Sequence, residues 1–331
     1  MTNWLTLPIA LALDLALGDP RSAWHPVRLM GSLATRVETR VRRMGSSRLH
    51  GLTGWILVVA TILAVAAGAL AVARRIHPVL ELSFSALLIY VAIAPRDLAR
   101  HAQRVERELR VADLPAARRA VGCIVGRDTE ELDASEISRA AVEAVAESTV
   151  DGITAPLFYA CLLGPLGALG YRAINTLDSM WGHHDERYER FGWTAARADD
   201  IAGYLPARLS VLWIAMGAAV CRLCPLSAWR IAWRDGKKHQ SPNSGLSEAA
   251  FAGALGVVLG GRNRYDGRWG DELTFGDGSC RPNLDTIPKA VTLMWWVTVL
   301  CAATLIAVAL IVERTPCGSG PATELRIGAG D

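Results

Sequence analysis

The sequence predicts an all-α, polytopic integral membrane protein, and three observations carry that expectation. Hydrophobic residues make up 51% of the 331 positions and charged residues only 20%, where an average soluble domain carries about 25% charge. Leu52–Ala73 and Ala290–Val312 run for 22 and 23 residues without a charge. At about 1.5 Å rise per residue, either run crosses a hydrocarbon core of about 30 Å. Backbone polar groups inside a bilayer must pair within their own segment, so both runs are helices. The same composition excludes disorder and a disulfide scaffold. The net charge of +3 is small and mixed, so no nucleic-acid partner is expected. The Cys are scattered and read as packing residues; Cys221-x-x-Cys224 has no second pair to make a metal site.

The remaining apolar segments follow in chain order. Leu5–Leu17 is short and interrupted by Asp14, and no Lys or Arg precedes it, so it is a poor signal peptide. Segment 18–51 holds Arg21, Arg28, Arg36, Arg40, Arg42, Arg43 and Arg48, which assigns it to the cytoplasm. Segment 79–95 spans with Glu81 at the head groups. Segment 153–171 is uncharged but interrupted by Gly164-Pro165, where proline breaks the helical ladder. It is either a kinked span or a re-entrant hairpin facing a polar cavity, and the side on which the later chain lies depends on which. Segment 205–221 is short, with Arg208 and Arg222 placed to snorkel. Trp295 and Trp296 suit the interface in segment 290–312. The chain is expected to be one membrane-embedded domain with about five apolar helical segments.

Segment 96–152 reads as amphipathic cytoplasmic helices. Leu98, Ala102, Val105 and Leu109 form a helical stripe. Asp113-Leu114-Pro115 is a helix start, and Asp133 with Glu136 has capping-box spacing. On the next helix Glu143, Glu147 and Asp151 fall on one face at i, i+4 and i+8. That face is either a solvated acidic surface or a site for Mg²⁺ or an amine, because a bound cation removes the repulsion. It runs straight into the broken segment.

Three further polar stretches stand at membrane edges. Arg172, Asn175, Asp178 and Ser179 precede His183-His184-Asp185, whose adjacent side chains diverge too much for an easy shared zinc. His239-Gln-Ser241-Pro-Asn243, with Glu248 beyond it, is a loop whose groups suit phosphate oxygens; equally it is a turn before a helix capped by Ser244 or Ser247. Residues 262–289, with Tyr265-Asp266-Gly267 as a turn, read as an irregular surface loop.

Together these segments resemble the CobD/CbiB family, the adenosylcobinamide-phosphate synthases. The resemblance rests on Asp14-Leu-Ala-Leu-Gly-Asp-Pro20 with His25-Pro-Val27, and on Val125-Gly-Arg-Asp-Thr129. It continues through Arg139, Glu143, Glu147 and Asp151-Gly152, then Tyr171-Arg-Ala-Ile-Asn-Thr-Leu-Asp178 and Asp199-Asp200. Pro206-Ala-Arg-Leu209 and Ser241-Pro-Asn243 with Glu248 complete it. Ser148 and Gly203 depart from the Asn usual in the family.

The resemblance implies a multi-pass ligase of the cytoplasmic membrane. It would use ATP and Mg²⁺ to join an amino-alcohol phosphate, of the aminopropanol phosphate type, to adenosylcobyric acid in cobalamin biosynthesis. Expected partners are the corrinoid, the amino-alcohol phosphate, membrane lipid and other late enzymes of the same pathway. On this reading Glu147, Asp151, Asp178 and His239 are catalytic, and Glu143, Glu147 and Asp151 hold Mg²⁺. Asp19, His25, Arg127, Asp128, Arg172, Asn175, Arg208, Ser241, Asn243 and Glu248 bind substrate or ATP. A non-catalytic membrane sensor related to the family and a corrinoid transporter are the alternatives.

Overall fold

The computed structural model describes residues 4–19, 25–183, 185–265, 267–270, 273–277 and 280–314. Pro20, Arg21, His184 and Asp266, named above, lie outside them. The described chain is helical almost throughout: α1 (Thr6–Leu17), α2 (Pro26–Arg42), α3 (Arg48–Ile76), α4 (Pro78–Tyr90), α5 (Pro95–Arg110), α6 (Leu114–Val121), α7 (Ala134–Thr149), α8 (Ala155–Trp181), α9 (Trp193–Val220), α10 (Pro225–Asp235), α11 (Ser244–Leu255) and α12 (Thr286–Arg314). Five helical stretches, Arg48–Ile76, Pro78–Arg110, Ala134–Trp181, Trp193–Val220 and Thr286–Ile311, are long and apolar enough to cross a membrane. The all-α polytopic architecture expected from composition is the one observed.

Local chemistry accounts for the helix starts. Asp113 accepts from the Ala116 N–H at 2.9 Å and opens α6. Asp133 and Glu136 make both bonds of the capping box and open α7. Neither Ser244 nor Ser247 caps α11. Asn243 stands at that cap without a side-chain bond, and Ser241 Oγ instead accepts from the N–H groups of Asn243 and Ser244.

Three expectations are corrected. The helix of segment 205–221 begins earlier, at Trp193. Residues 262–289 are more than surface loop: β1 (Leu259–Gly261) pairs antiparallel with β4 (Leu273–Phe275), and β2 (Arg264–Tyr265) with β3 (Arg268–Trp269). Leu259 and Phe275 of the first ladder are buried. Most of α7 is likewise buried around its whole circumference, including Ser138, Arg139 and Glu143. It is a central helix, because α5, α11 and α12 all pack on it.

The broken segment doubles back on itself. Gly164 takes φ 73°, ψ −164°, a region essentially reserved for glycine, and Pro165 withholds the next N–H. The arms 155–163 and 165–181 then lie against each other. The Tyr159 and Tyr171 rings stack with centroids 5.4 Å apart, and the Tyr171 hydroxyl donates to Asp151 Oδ1 at 3.3 Å. A continuous helix would hold Asp151 and Tyr171, twenty apart in sequence, about 30 Å from each other. The chain thus reverses at Gly164 as a helical hairpin rather than continuing as a kinked span. Leu162 and Leu163 at its tip are 62% and 63% exposed, as suits side chains pointing into lipid.

Close approach of the two arms requires Gly167. A Cβ there would lie 2.4 Å from the Tyr159 carbonyl oxygen, whereas one on Gly68 of α3 would meet nothing within 4 Å. Gly167→Ala should cost about 1–3 kcal/mol and lower the thermal midpoint in detergent. Gly68→Ala should leave the midpoint unchanged or raised by the equivalent of about 0.5–1 kcal/mol. Equal midpoints for the two variants would contradict the packed hairpin.

Candidate functional site

The site assembles where α7 gives way to the hairpin. A single π-helical turn, Val150–Thr154, joins α7 to α8 and carries Asp151. Such turns often mark functional positions, because the extra residue re-aims a side chain. The turn is anchored on both sides: the Gly152 carbonyl accepts from the Ala94 N–H at 3.0 Å, and Thr154 Oγ1 meets Ser210 Oγ at 2.7 Å.

Around Asp151 stand carboxylates from three helices. Glu147 on α7, Asp178 on the returning arm of α8 and Asp199 on α9 lie within electrostatic reach of Asp151, and Asp199 also feels Asp178 and Glu147. Asn175 donates to Asp199 Oδ1 at 3.3 Å. Ser244, at the start of α11, donates to Glu147 Oε1 at 3.1 Å. Asn243 donates through Nδ2 to the Asp200 carbonyl at 3.0 Å, a seat that exists only because residue 203 is glycine; a Cβ there would lie 2.5 Å from Nδ2. Arg172 feels Asp151, Tyr171 and Asp19, and Asp19 pairs with buried His25 at 2.7 Å.

Glu143, one turn before Glu147, has a different task. Arg127 reaches its Oε2 at 2.7 Å and Arg139 its Oε1 at 3.2 Å, while the Gly260 N–H donates to Oε1 at 2.6 Å. Asn263 Oδ1 accepts from both arginines, at 2.6 Å and 3.0 Å. This knot ties the 125–128 loop, α7 and the β1–β2 segment together. Glu143 is thus occupied by arginines rather than free for a metal. Among the described residues no three His, Cys, Asp or Glu side chains form a ready metal-ligand set. Consecutive turns of a helix face different neighbours once both flanks are packed.

Glu248 of α11 lies under the knot. Burial raises its carboxyl well above the usual range, and Glu143 and Glu147 push in the same direction against Arg127 and Arg139. His239 Nε2 stands 4.0 Å from Glu248 Oε1. His239 Nδ1 lies 3.0 Å from the Ser241 N–H and 3.3 Å from the Ser241 carbonyl oxygen, so the ring is held by Ser241.

Two expected residues fall elsewhere. Asp128 accepts from the Gly267 N–H at 2.8 Å and pairs with Arg264 at 3.7 Å, holding the β2–β3 turn. Arg208 lies with its guanidinium 3.2 Å from the Tyr204 ring centroid and donates to that residue's carbonyl, on the outward side of α9. The converse also occurs. Asp199 joins the cluster although only its place in a motif marked it in the sequence, and Asn263 lies in what read as a loop.

Several buried polar atoms here have no hydrogen-bond partner: Arg127 Nε, Arg172 Nε and Asn243 Oδ1. Guanidinium donors without acceptors fit anionic oxygens. An acceptor without a donor, beside gathered carboxylates, fits an ammonium or a hydrated cation. Nucleotide-bound Mg²⁺ also fits, because that ion uses one or two carboxylates together with phosphate oxygens rather than a full protein cage.

Fold and site define a class, a polytopic helical membrane protein with a charged site set between a re-entrant hairpin and the polar helices around it. The chain belongs to the CobD/CbiB family: the family model described as CobD/Cbib protein matches residues 7–294. The cobalamin biosynthesis protein CbiB of Salmonella arizonae is 48% identical over 303 residues, 90% of this chain and 95% of its own length. That of Salmonella typhimurium is 47% identical over the same shares, and the cobalamin biosynthesis protein CobD of Citrobacter koseri is 44% identical over 91% of this chain and 95% of its own. No solved structure matches the chain.

The buried state of Glu248 has a measurable consequence. A carboxyl whose proton is held more tightly in the folded than in the unfolded protein loses stability as pH rises. Glu248→Gln should therefore gain thermal stability relative to the parent as pH rises from about 4.5 upward, in the ligand-free protein. A difference that stays flat with pH, or grows toward acid, would contradict the buried carboxyl.

Proposed function

We propose that this protein acts in cobalamin biosynthesis as an ATP-dependent acid–amine ligase of the cell membrane. It would join an amino-alcohol phosphate to adenosylcobyric acid and release adenosylcobinamide phosphate. The observation that carries the reading is the pairing, in one place, of gathered carboxylates with buried guanidinium groups. An amino-alcohol phosphate is a cation at one end and an anion at the other, and ATP is an anion that brings a divalent ion. The names of the relatives support the pathway, and the donor set supports the reaction type.

A carboxylate is a poor electrophile, so the corrinoid carboxylate takes a phosphoryl group from ATP and becomes an acyl phosphate. Mg²⁺, when bound, neutralises the triphosphate. Arg127, Arg172 and the His239 ring donate to phosphate oxygens. Ser241 holds the His239 ring and, with Asn243, the start of α11. Glu147, Asp151 and Asp178 hold the incoming ammonium, with Asn243 Oδ1 as a further acceptor, and one carboxylate takes the proton that the amine must lose. The free amine attacks the acyl carbon, the amide C–N bond forms and phosphate departs. Asp19 and His25 line the Arg172 side of the same site.

The test is turnover by detergent-purified protein supplied with adenosylcobyric acid, aminopropanol phosphate, ATP and Mg²⁺, with the corrinoid amide read by mass spectrometry. Product should require both ATP and Mg²⁺. Glu147→Gln should lose at least about 100-fold in rate while keeping membrane insertion and the parental thermal midpoint. Parental turnover in that variant would overturn the assignment of Glu147. Binding of the corrinoid without any product from the parent protein would overturn the ligase reading in favour of a sensor or transporter.

A further inference from the structure

Helix α10 is neither a span nor an ordinary surface helix. At 11 residues it is about 16 Å long, too short to cross a bilayer. Ala228, Ile231, Ala232 and Asp235 are buried on one side. That side is locked to α11 at both ends: a Cβ on Gly253 would lie 2.4 Å from the Ser227 carbonyl oxygen, and one on Gly236 3.0 Å from Leu246 Cα. The opposite side exposes Leu226, Trp229 and Trp233, at 85%, 45% and 37%. These residues are spaced i, i+3 and i+7, one stripe on a helix. The two indole rings meet edge to face with centroids 5.8 Å apart. Exposed Arg222, Arg230 and Lys237 flank the stripe.

The covering partner follows from what adjoins the stripe. α9 is a candidate span that exposes Ile201, Leu205, Leu212, Met216 and Val220 along one side, with Arg208 folded onto Tyr204 among them. That face ends at Val220, and α10 begins at Pro225. Between them Arg222 takes φ 57° and turns the chain. The stripe therefore continues a lipid-facing surface at the point where the chain leaves the membrane. Its composition changes there from aliphatic to tryptophan and arginine, the side chains suited to the head-group layer.

We propose that α10 is an in-plane membrane anchor. Its Leu226–Trp229–Trp233 stripe lies in the head-group layer, with Arg222 and Lys237 toward lipid phosphates. α10 runs directly into the turn Gly236–Lys238 and then His239, so the anchor fixes one end of the His239–Asn243 loop. This inference is independent of the reaction assigned above.

The experiment uses the full chain, labelled with 5-fluorotryptophan, in nanodiscs of phosphatidylcholine and phosphatidylglycerol. Trp229→Phe, Trp233→Phe and Trp269→Phe assign three fluorine resonances. Trp269, on β3 and 55% exposed, is the aqueous reference. Dissolved oxygen, which concentrates in lipid, should relax Trp229 and Trp233 about twofold or more over Trp269, and a water-soluble gadolinium chelate should relax them less than Trp269. Responses matching Trp269 would overturn the anchor. Protection from both reagents would also overturn it, and would mean that a second copy or another protein covers the stripe.

Discussion

The reversal at Gly164-Pro165 sets the arrangement on which the site depends. A helix running on from Glu147 to Asp178 would separate those residues by about 46 Å. Because the chain turns back, the returning arm brings Tyr171, Arg172, Asn175 and Asp178 level with Asp151 and Glu147. Both arms remain helical, so the reversal leaves few backbone groups without partners in a medium that supplies none. The stacked rings of Tyr159 and Tyr171 fill the space between the arms, and the tyrosine hydroxyl ends on the site carboxylate. One break in one helix thus folds a hydrophobic run so that both its ends meet at the carboxylates.

A second constraint acts on the polar side. Arg127, Arg139 and Glu143 are nearly buried, and burying charge is tolerated only where partners and hydrogen bonds replace water. The knot meets that condition through Asn263 and Gly260. Removing one partner from such a pair typically costs about 3–5 kcal/mol, so the knot fixes the β1–β2 segment against α7. α10 is pinned to the same region. Asp235 accepts from Arg234, Lys238 and the Gly276 N–H, which hold its carboxyl well below the usual carboxylate range. Asp277 pairs with Arg230 and Arg234. The loop from His239 to Asn243 therefore sits on a rigid support.

Between the two constraints lie the gathered carboxylates of Glu147, Asp151, Asp178 and Asp199. Carboxylates held together in a partly dehydrated place favour a cation or a proton. The neighbouring buried guanidinium nitrogens favour an anion. A bipolar ligand answers both demands at once, and that complementarity, more than any single residue, links the geometry to the chemistry.

The sequence by itself determined the membrane class, the two longest uncharged helices, the capped starts of α6 and α7, and the family. These are local properties: uncharged length, helical spacing, an oxygen placed three residues before an N–H, and motifs that resemble a family. Only the tertiary structure decided between a kinked span and a hairpin, since Gly164-Pro165 permits either and the choice rests on contacts such as Tyr159 with Tyr171. It also separated Glu143 from Glu147, which spacing had put on one face; arginines from a distant loop occupy the first, and Ser244 of α11 bonds the second. It brought Asp199 into the cluster, removed Arg208 to the outer face of α9, and gave Asp128 to a turn. The physical reason is the same in each case: charge and burial depend on neighbours far away in sequence, which local periodicity does not encode.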